Sequence, residues 1–220
     1  MPALRSTQSL VIFAGYVLGA FALYWGLPEE IPPSWTVPGH GTLWLGVPMV
    51  AFLLPTAVAV TDLLLRRLCV RHPIEEPASM NVLTIYDAIM LRFGVFIVAV
   101  HATTLAALMG LLVGRDWAAQ IVPVLLGLTL ISIGNLLPRT RPNLAIGVRT
   151  RRTLANRAVW IRAHRSTGYL MVVAGAVIVL SAIAVPARLG RTMVLVVGPA
   201  GLVGTYLVVR SAGRHAHGDR

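Results

Sequence analysis

The chain has 220 residues, 56% of them hydrophobic and 12% charged, with a mean hydropathy of +0.76. A soluble domain of this length needs a polar coat that this composition does not supply, which argues against a soluble enzyme, a disordered chain or a coiled coil. All 19 basic residues are arginine, against 8 acids, for a formal charge of +11. On a soluble chain that excess would suggest nucleic acid; on a membrane chain it is first a topology signal. Cys69 is the single cysteine, so neither a disulfide framework nor a cysteine-based zinc site is expected.

A transmembrane helix needs ~20 mostly apolar residues. Six segments qualify: Gln8–Gly26, Leu43–Leu65, Ala88–Val113, Trp117–Leu137, Gly168–Ala187 and Thr192–Val209. The first resembles a signal peptide in having Arg5 and an Ala20-Phe21-Ala22 site. Its apolar run continues through Tyr24 and Trp25, beyond the usual h-region of about 7–15 residues, so it reads as an uncleaved span. The expected fold is all-α: a polytopic membrane protein with six transmembrane helices.

The arginines give the direction. With the N-terminus inside, the inner side holds Arg5, Arg66, Arg67, Arg71, eight residues of the fourth loop (Arg139, Arg141, Arg149, Arg151, Arg152, Arg157, Arg162, Arg165) and Arg210, Arg214 and Arg220. The outer side holds Arg115, Arg188 and Arg191. Fifteen against three predicts both termini on the cytoplasmic side, with Trp25, Trp44 and Trp117 at the outer interface. It also accounts for most of the charge without nucleic acid.

Three ionisable side chains fall inside the spans. Asp62 and Arg92 lie at matching depth near the inner ends of the second and third spans, where they could pair or snorkel. His101 lies near the middle of the third, either bonding a neighbouring helix or serving a ligand or gate. Gly15-x-x-x-Gly19 and Gly110-x-x-x-Gly114 offer close-packing faces, and Pro48, Pro55 and Pro123 are expected to bend their helices. His215 and His217 in the tail read as ordinary. No hydrolase elbow, phosphate loop, zinc His-Glu-x-x-His or Cys-x-x-Cys motif occurs, so no enzyme, cofactor or metal is expected.

Two loops stand out. The outer one, Leu27–Thr42, is rich in Pro and Gly and carries Glu29, Glu30, Trp35 and His40. The inner one runs from Pro138 to Thr167. Pro138, Pro142 and Asn143 end the fourth helix, Gly147 permits a turn, and Thr150 or Thr153 can cap a new helix. Leu154, Ala158 and Ile161 then recur at helical spacing among arginines. That pattern predicts a short amphipathic helix at the inner interface, with Trp160 at headgroup depth.

The inner stretch resembles the signature of the SdpI family of bacterial multi-pass membrane proteins. The residues are Gly134-Asn135, Pro138, Pro142-Asn143, Gly147-Val148-Arg149-Thr150, Thr153-Leu154, Val159-Trp160, His164-Arg165 and Gly168. Arg151 and Arg152 stand where the family pattern has Pro-Trp, and Ala163 where it has Thr. Leu27-Pro28, Ile31-Pro32, Trp35 and Gly39 resemble a small domain of unknown function that often precedes this region, with Ser34 in place of its His. The implied division is 1–87, a two-helix region with the outer loop, and 88–220, a four-helix SdpI-like region with the inner loop 138–167.

The resemblance implies a membrane protein giving immunity to a secreted peptide toxin and recruiting a cytosolic repressor. On that reading a peptide would meet Glu29, Glu30, Trp35 and His40. A regulator or anionic lipid headgroups would meet Asn135, Arg139, Arg141, Asn143, Arg149, Thr150, Trp160, His164 and Arg165. A competing reading is lipid or solute handling, with the loop arginines gripping phosphates and Asp62 or His101 lining a path.

Overall fold

The computed structural model describes residues 2–27, 47–71, 80–112 and 117–184, with six further positions between 196 and 207. The described residues are helical, without strands: α1 (Pro2–Trp25), α2 (Val47–Arg71), α3 (Met80–Leu108), α4 (Trp117–Leu136), α5 (Arg151–Ala155) and α6 (Arg157–Ala184). A 3-10 turn, Leu137–Arg139, follows α4. All but α5 are long and apolar enough to cross a membrane. In hydrocarbon only a helix or a closed barrel satisfies every backbone group internally, so long helices are what these apolar runs must form. The sixth expected span lies mostly outside the described residues; its six described positions are helical.

The ends of the helices differ from expectation. The third begins eight residues earlier, at Met80, and stops at Leu108. There the Leu111 N–H bonds the Ala106 carbonyl and the Gly110 N–H the Ala107 carbonyl, a closing turn that needs the left-handed φ of +71° at Gly110. Gly110 is therefore a helix stop, and its added Cβ would meet nothing within 4 Å, so it is not a packing face. Pro48 falls in the first turn of α2, where a missing N–H costs little, whereas Pro55 and Pro123 lie inside their helices.

Small residues set the helix spacing. Gly15 meets Pro55 of α2 and Val98 of α3, and Gly19 lies against the Ala51 carbonyl. That carbonyl has no intrahelical donor, because the residue four places on is Pro55. The most extensive contact joins α4 and α6. A Cβ on Gly127 would stand 2.6 Å from the Gly175 carbonyl oxygen, and one on Gly175 would stand 2.5 Å from that of Gly127. One heptad along, Gly134 and Gly168 repeat the arrangement at 2.8 and 2.6 Å. These are reciprocal backbone approaches that no side chain could share.

Many large apolar side chains point outward, among them Phe13, Tyr24 and Trp25 on α1 and Tyr169 and Ile183 on α6. That inversion of the soluble pattern suits a lipid surround. Gly127→Ala should therefore cost about 1–3 kcal/mol through overpacking. Gly94→Ala, whose new methyl would meet Val11 and Val58 at 3.7 Å, should be neutral or stabilise by about 0.5–1 kcal/mol. Melting of the purified variants in detergent checks both.

Candidate functional site

The segment between α4 and α6 is built by short-range bonds. Thr140 closes the 3-10 turn through its N–H and hydroxyl, both donating to the Leu137 carbonyl at 3.1 and 2.7 Å. Asn143 is buried and makes a turn of its own: its Oδ1 accepts from the Ala145 and Ile146 N–H groups at 2.9 and 2.8 Å, and its amide donates to the Arg141 carbonyl at 2.7 Å. Gly147 has φ +109°, and a Cβ there would collide with His164. Thr150 caps α5 in a reciprocal box. Its hydroxyl accepts from the Thr153 N–H at 3.1 Å, while its own N–H donates to the Thr153 hydroxyl at 2.8 Å. Both expected capping residues thus take part.

α5 ends after five residues, and Asn156 starts the next helix by accepting from the Ala158 and Val159 N–H groups at 2.9 and 3.2 Å. α6 then runs unbroken from Arg157 to Ala184. The expected separate amphipathic helix is thus corrected. Leu154 belongs to α5, and Ala158 and Ile161 belong to the start of the fifth span. Trp160 is also corrected. It is 0% exposed rather than in the headgroups, and its indole N–H donates to the Thr140 carbonyl at 3.0 Å. Its ring stacks on His164 at 3.8 Å. His164 is fully buried, with Nδ1 at 2.9 Å from the Trp160 carbonyl and Nε2 accepting from the Val148 N–H at 3.0 Å. One nitrogen must donate and the other accept, which assigns the neutral, Nδ1-protonated ring.

The residues named from sequence therefore divide. Asn143, Thr150, Trp160 and His164 form the frame, while Asn135, Arg139, Arg149 and Arg165 are exposed and Arg141 is half-buried. The Arg149 guanidinium donates to the Leu144 carbonyl. The Arg165 guanidinium lies 5.9 Å from the centroid of Tyr169. Thr140, Asn156 and Tyr86 were not singled out by the sequence. Asn156 had a detectable signal, an Asn just ahead of a helical run.

Behind the loop, Tyr86 of α3 packs with Met90 and Ala145. Its hydroxyl lies 2.9 Å from both the backbone and side-chain oxygens of Asp62 on α2. The expected Asp62–Arg92 pair does not form. Arg92 donates to Ser132 at 2.6 Å and to the Ala88 carbonyl at 2.7 Å, and the ion pair here joins Arg66 to Asp87. Arg92 points across to α4, away from α2, which removes it from Asp62. A crevice lined by Ile85, Tyr86, Thr140, Arg141 and Asn143 has room for about one water molecule. His101 is buried between helices near the Gly15 and Ala51 carbonyls, with no hydrogen bond of normal geometry to its ring. Glu29, Glu30, Trp35 and His40 lie outside the described residues.

The frame makes a testable demand. His164→Phe keeps a ring against Trp160 but leaves the Val148 N–H without its acceptor. It should cost about 1–3 kcal/mol and speed proteolysis between residues 140 and 150, read by limited digestion and mass mapping.

Residues 139–211 match the model of the SdpI/YfhL protein family. The chain is 26% identical over 174 residues to the immunity protein SdpI of Bacillus subtilis (strain 168), covering 79% of each chain. No solved structure matches. The family match begins inside the 3-10 turn at Arg139 and takes in the whole frame and α6. The family model and the Bacillus relative thus point to one likeness for this membrane chain, the SdpI/YfhL family, carried by residues 139–211.

Proposed function

We propose that this protein is a membrane immunity protein of the receptor type, without catalysis. In this reading it binds a secreted peptide toxin on the outer side and engages a cytosolic regulator through the arginine-bearing loop. The observation that carries the immunity reading is the similarity to the Bacillus immunity protein, which extends well beyond the loop to 79% of the chain. The rigid frame supports a recognition role. It holds Arg139, Arg149 and Arg165 outward on a scaffold whose backbone groups are internally bonded.

Both termini lie in the cytoplasm in this reading, because fifteen of the arginines then fall inside. Passage of a signal from the outer loop would run down α2 and α3. Tyr86 touches Asp62 on one side and Ala145 of the loop on the other, so a shift of α2 against α3 reaches the loop directly. Such coupling requires two arrangements that the peptide binds unequally.

Three outcomes are expected. Cells lacking the protein should lose survival in filtrate from toxin-producing cells of their own kind, and re-expression should restore it; unchanged survival in both would sink the immunity reading. Arg149→Ala should abolish capture of the cytosolic partner while leaving the protein in the membrane, read by cross-linking and mass spectrometry of membranes. A fluorescent protein fused after Arg220 should fluoresce, and alkaline phosphatase fused at Trp35 should be active. The reverse pattern would invert the topology.

A further inference from the structure

We propose that the outward face of α6 is a binding site for an anionic phospholipid. Arg162 and Arg165 hold the headgroup phosphate, and Tyr169 and Val173 carry an acyl chain. This rests on the chain crossing a membrane and is independent of toxin recognition.

The exposed residues of α6 fall on one face of the helix. Arg162, Arg165, Tyr169, Val173 and Leu180 follow one another at steps of three, four, four and seven. Such steps keep side chains within one stripe of a helix. The opposite side carries the buried set, including Trp160, His164 and Gly168. The stripe is therefore cationic at one end and apolar for the rest of its length, which is the polarity of a phospholipid.

Depth agrees with this. A span needs ~20 residues, and twenty counted back from Ala184, the end of α6, reach Arg165. Arg162 and Arg165 then stand at headgroup level, and Tyr169, 61% exposed, lies one turn deeper where an amphipathic ring is favoured. The Arg165 guanidinium sits over the Tyr169 ring. That contact orients the cation along the helix and leaves its N–H edge free for phosphate oxygens.

The sign of the partner is set by charge. No Asp or Glu occurs between Asp116 and Asp219, so neither the loop nor α6 supplies a carboxylate to these guanidiniums. Among the described residues the ion pair is Arg66–Asp87, on α2 and α3. An acidic protein could neutralise Arg162 and Arg165. It would not cover Val173, which stays exposed within the span. A lipid with a negative headgroup does both.

The test uses the full chain in nanodiscs of phosphatidylcholine containing a minority of phosphatidylglycerol, with retained lipids counted by native mass spectrometry. Enrichment of phosphatidylglycerol is expected. Arg162→Gln and Arg165→Gln should each weaken it about fivefold, the effect of one surface cation facing an anionic leaflet, and Arg165→Lys should weaken it less. The double variant Arg151→Gln/Arg152→Gln removes two charges on α5 and should leave it unchanged. Three results would overturn the proposal: no preference over phosphatidylcholine, an equal loss in the α5 variant (diffuse attraction), or release of a bound acidic protein instead of lipid. Unchanged survival in the toxin filtrate with or without the protein, with lipid retention intact, would count against the immunity reading and leave this site standing.

Discussion

The contact between Gly134 and Gly168 governs the rest of the C-terminal half. It brings the end of α4 and the start of α6 to backbone distance, and Pro138 closes on Gly168 from the 3-10 turn, where an added Cβ would meet its ring at 3.0 Å. With those two points fixed, the chain between them has little freedom in where Thr140 and Trp160 lie. The Trp160–Thr140 hydrogen bond spans 20 residues of sequence but a short distance in space. Gly127 and Gly175, one heptad further along, prevent the two helices from splaying. Without a hydrophobic drive between helices in lipid, such close approaches are what hold a bundle together.

On that foundation the loop is a polar structure whose groups are largely used up internally. Buried polar groups must be bonded, and each bonded group fixes the next. Asn143 orders residues 141–146, His164 orders Val148, and the threonine pair orders α5. What remains unspent is charge, since guanidiniums need no partner when they face water. The same segment thus combines a fixed interior with a displayed cationic surface. Tyr86 ties it to α2 and α3 through Asp62 and Ala145.

Much of this could be read from the residues, and the failures have causes. Hydropathy located the described spans because backbone satisfaction in lipid leaves little choice of structure. Pro138, Asn143, Gly147 and Thr150 are readable because each acts on backbone within a few residues of itself. Trp160 was misplaced because an aromatic near a membrane end is ordinarily interfacial, and its partner Thr140 is 20 residues away. The pairing of Asp62 with Arg92 assumed that equal depth means adjacency. Depth is one coordinate and rotation about the helix is another, and rotation took Arg92 to Ser132. Gly110 was mistaken for a packing glycine because a four-residue spacing does not distinguish a groove from a helix stop. The heptad pairs Gly127/Gly134 and Gly168/Gly175 were present in the sequence, but only the antiparallel pairing of α4 and α6 gives them meaning.

The capping box gives the family departure at residues 151 and 152 a simple reading. Thr150 is the N-cap, so Arg151 is the first helical position and Thr153 the third. The first position is where proline is best tolerated, since its missing N–H would be unbonded anyway. The Pro-Trp of the family pattern and the Arg-Arg of this chain therefore suit the same backbone. Both arginines point to the surface. Residues 151 and 152 are thus a display carried on a mount built by Thr150 and Thr153, and the loop's fold depends on the mount and not on what is displayed.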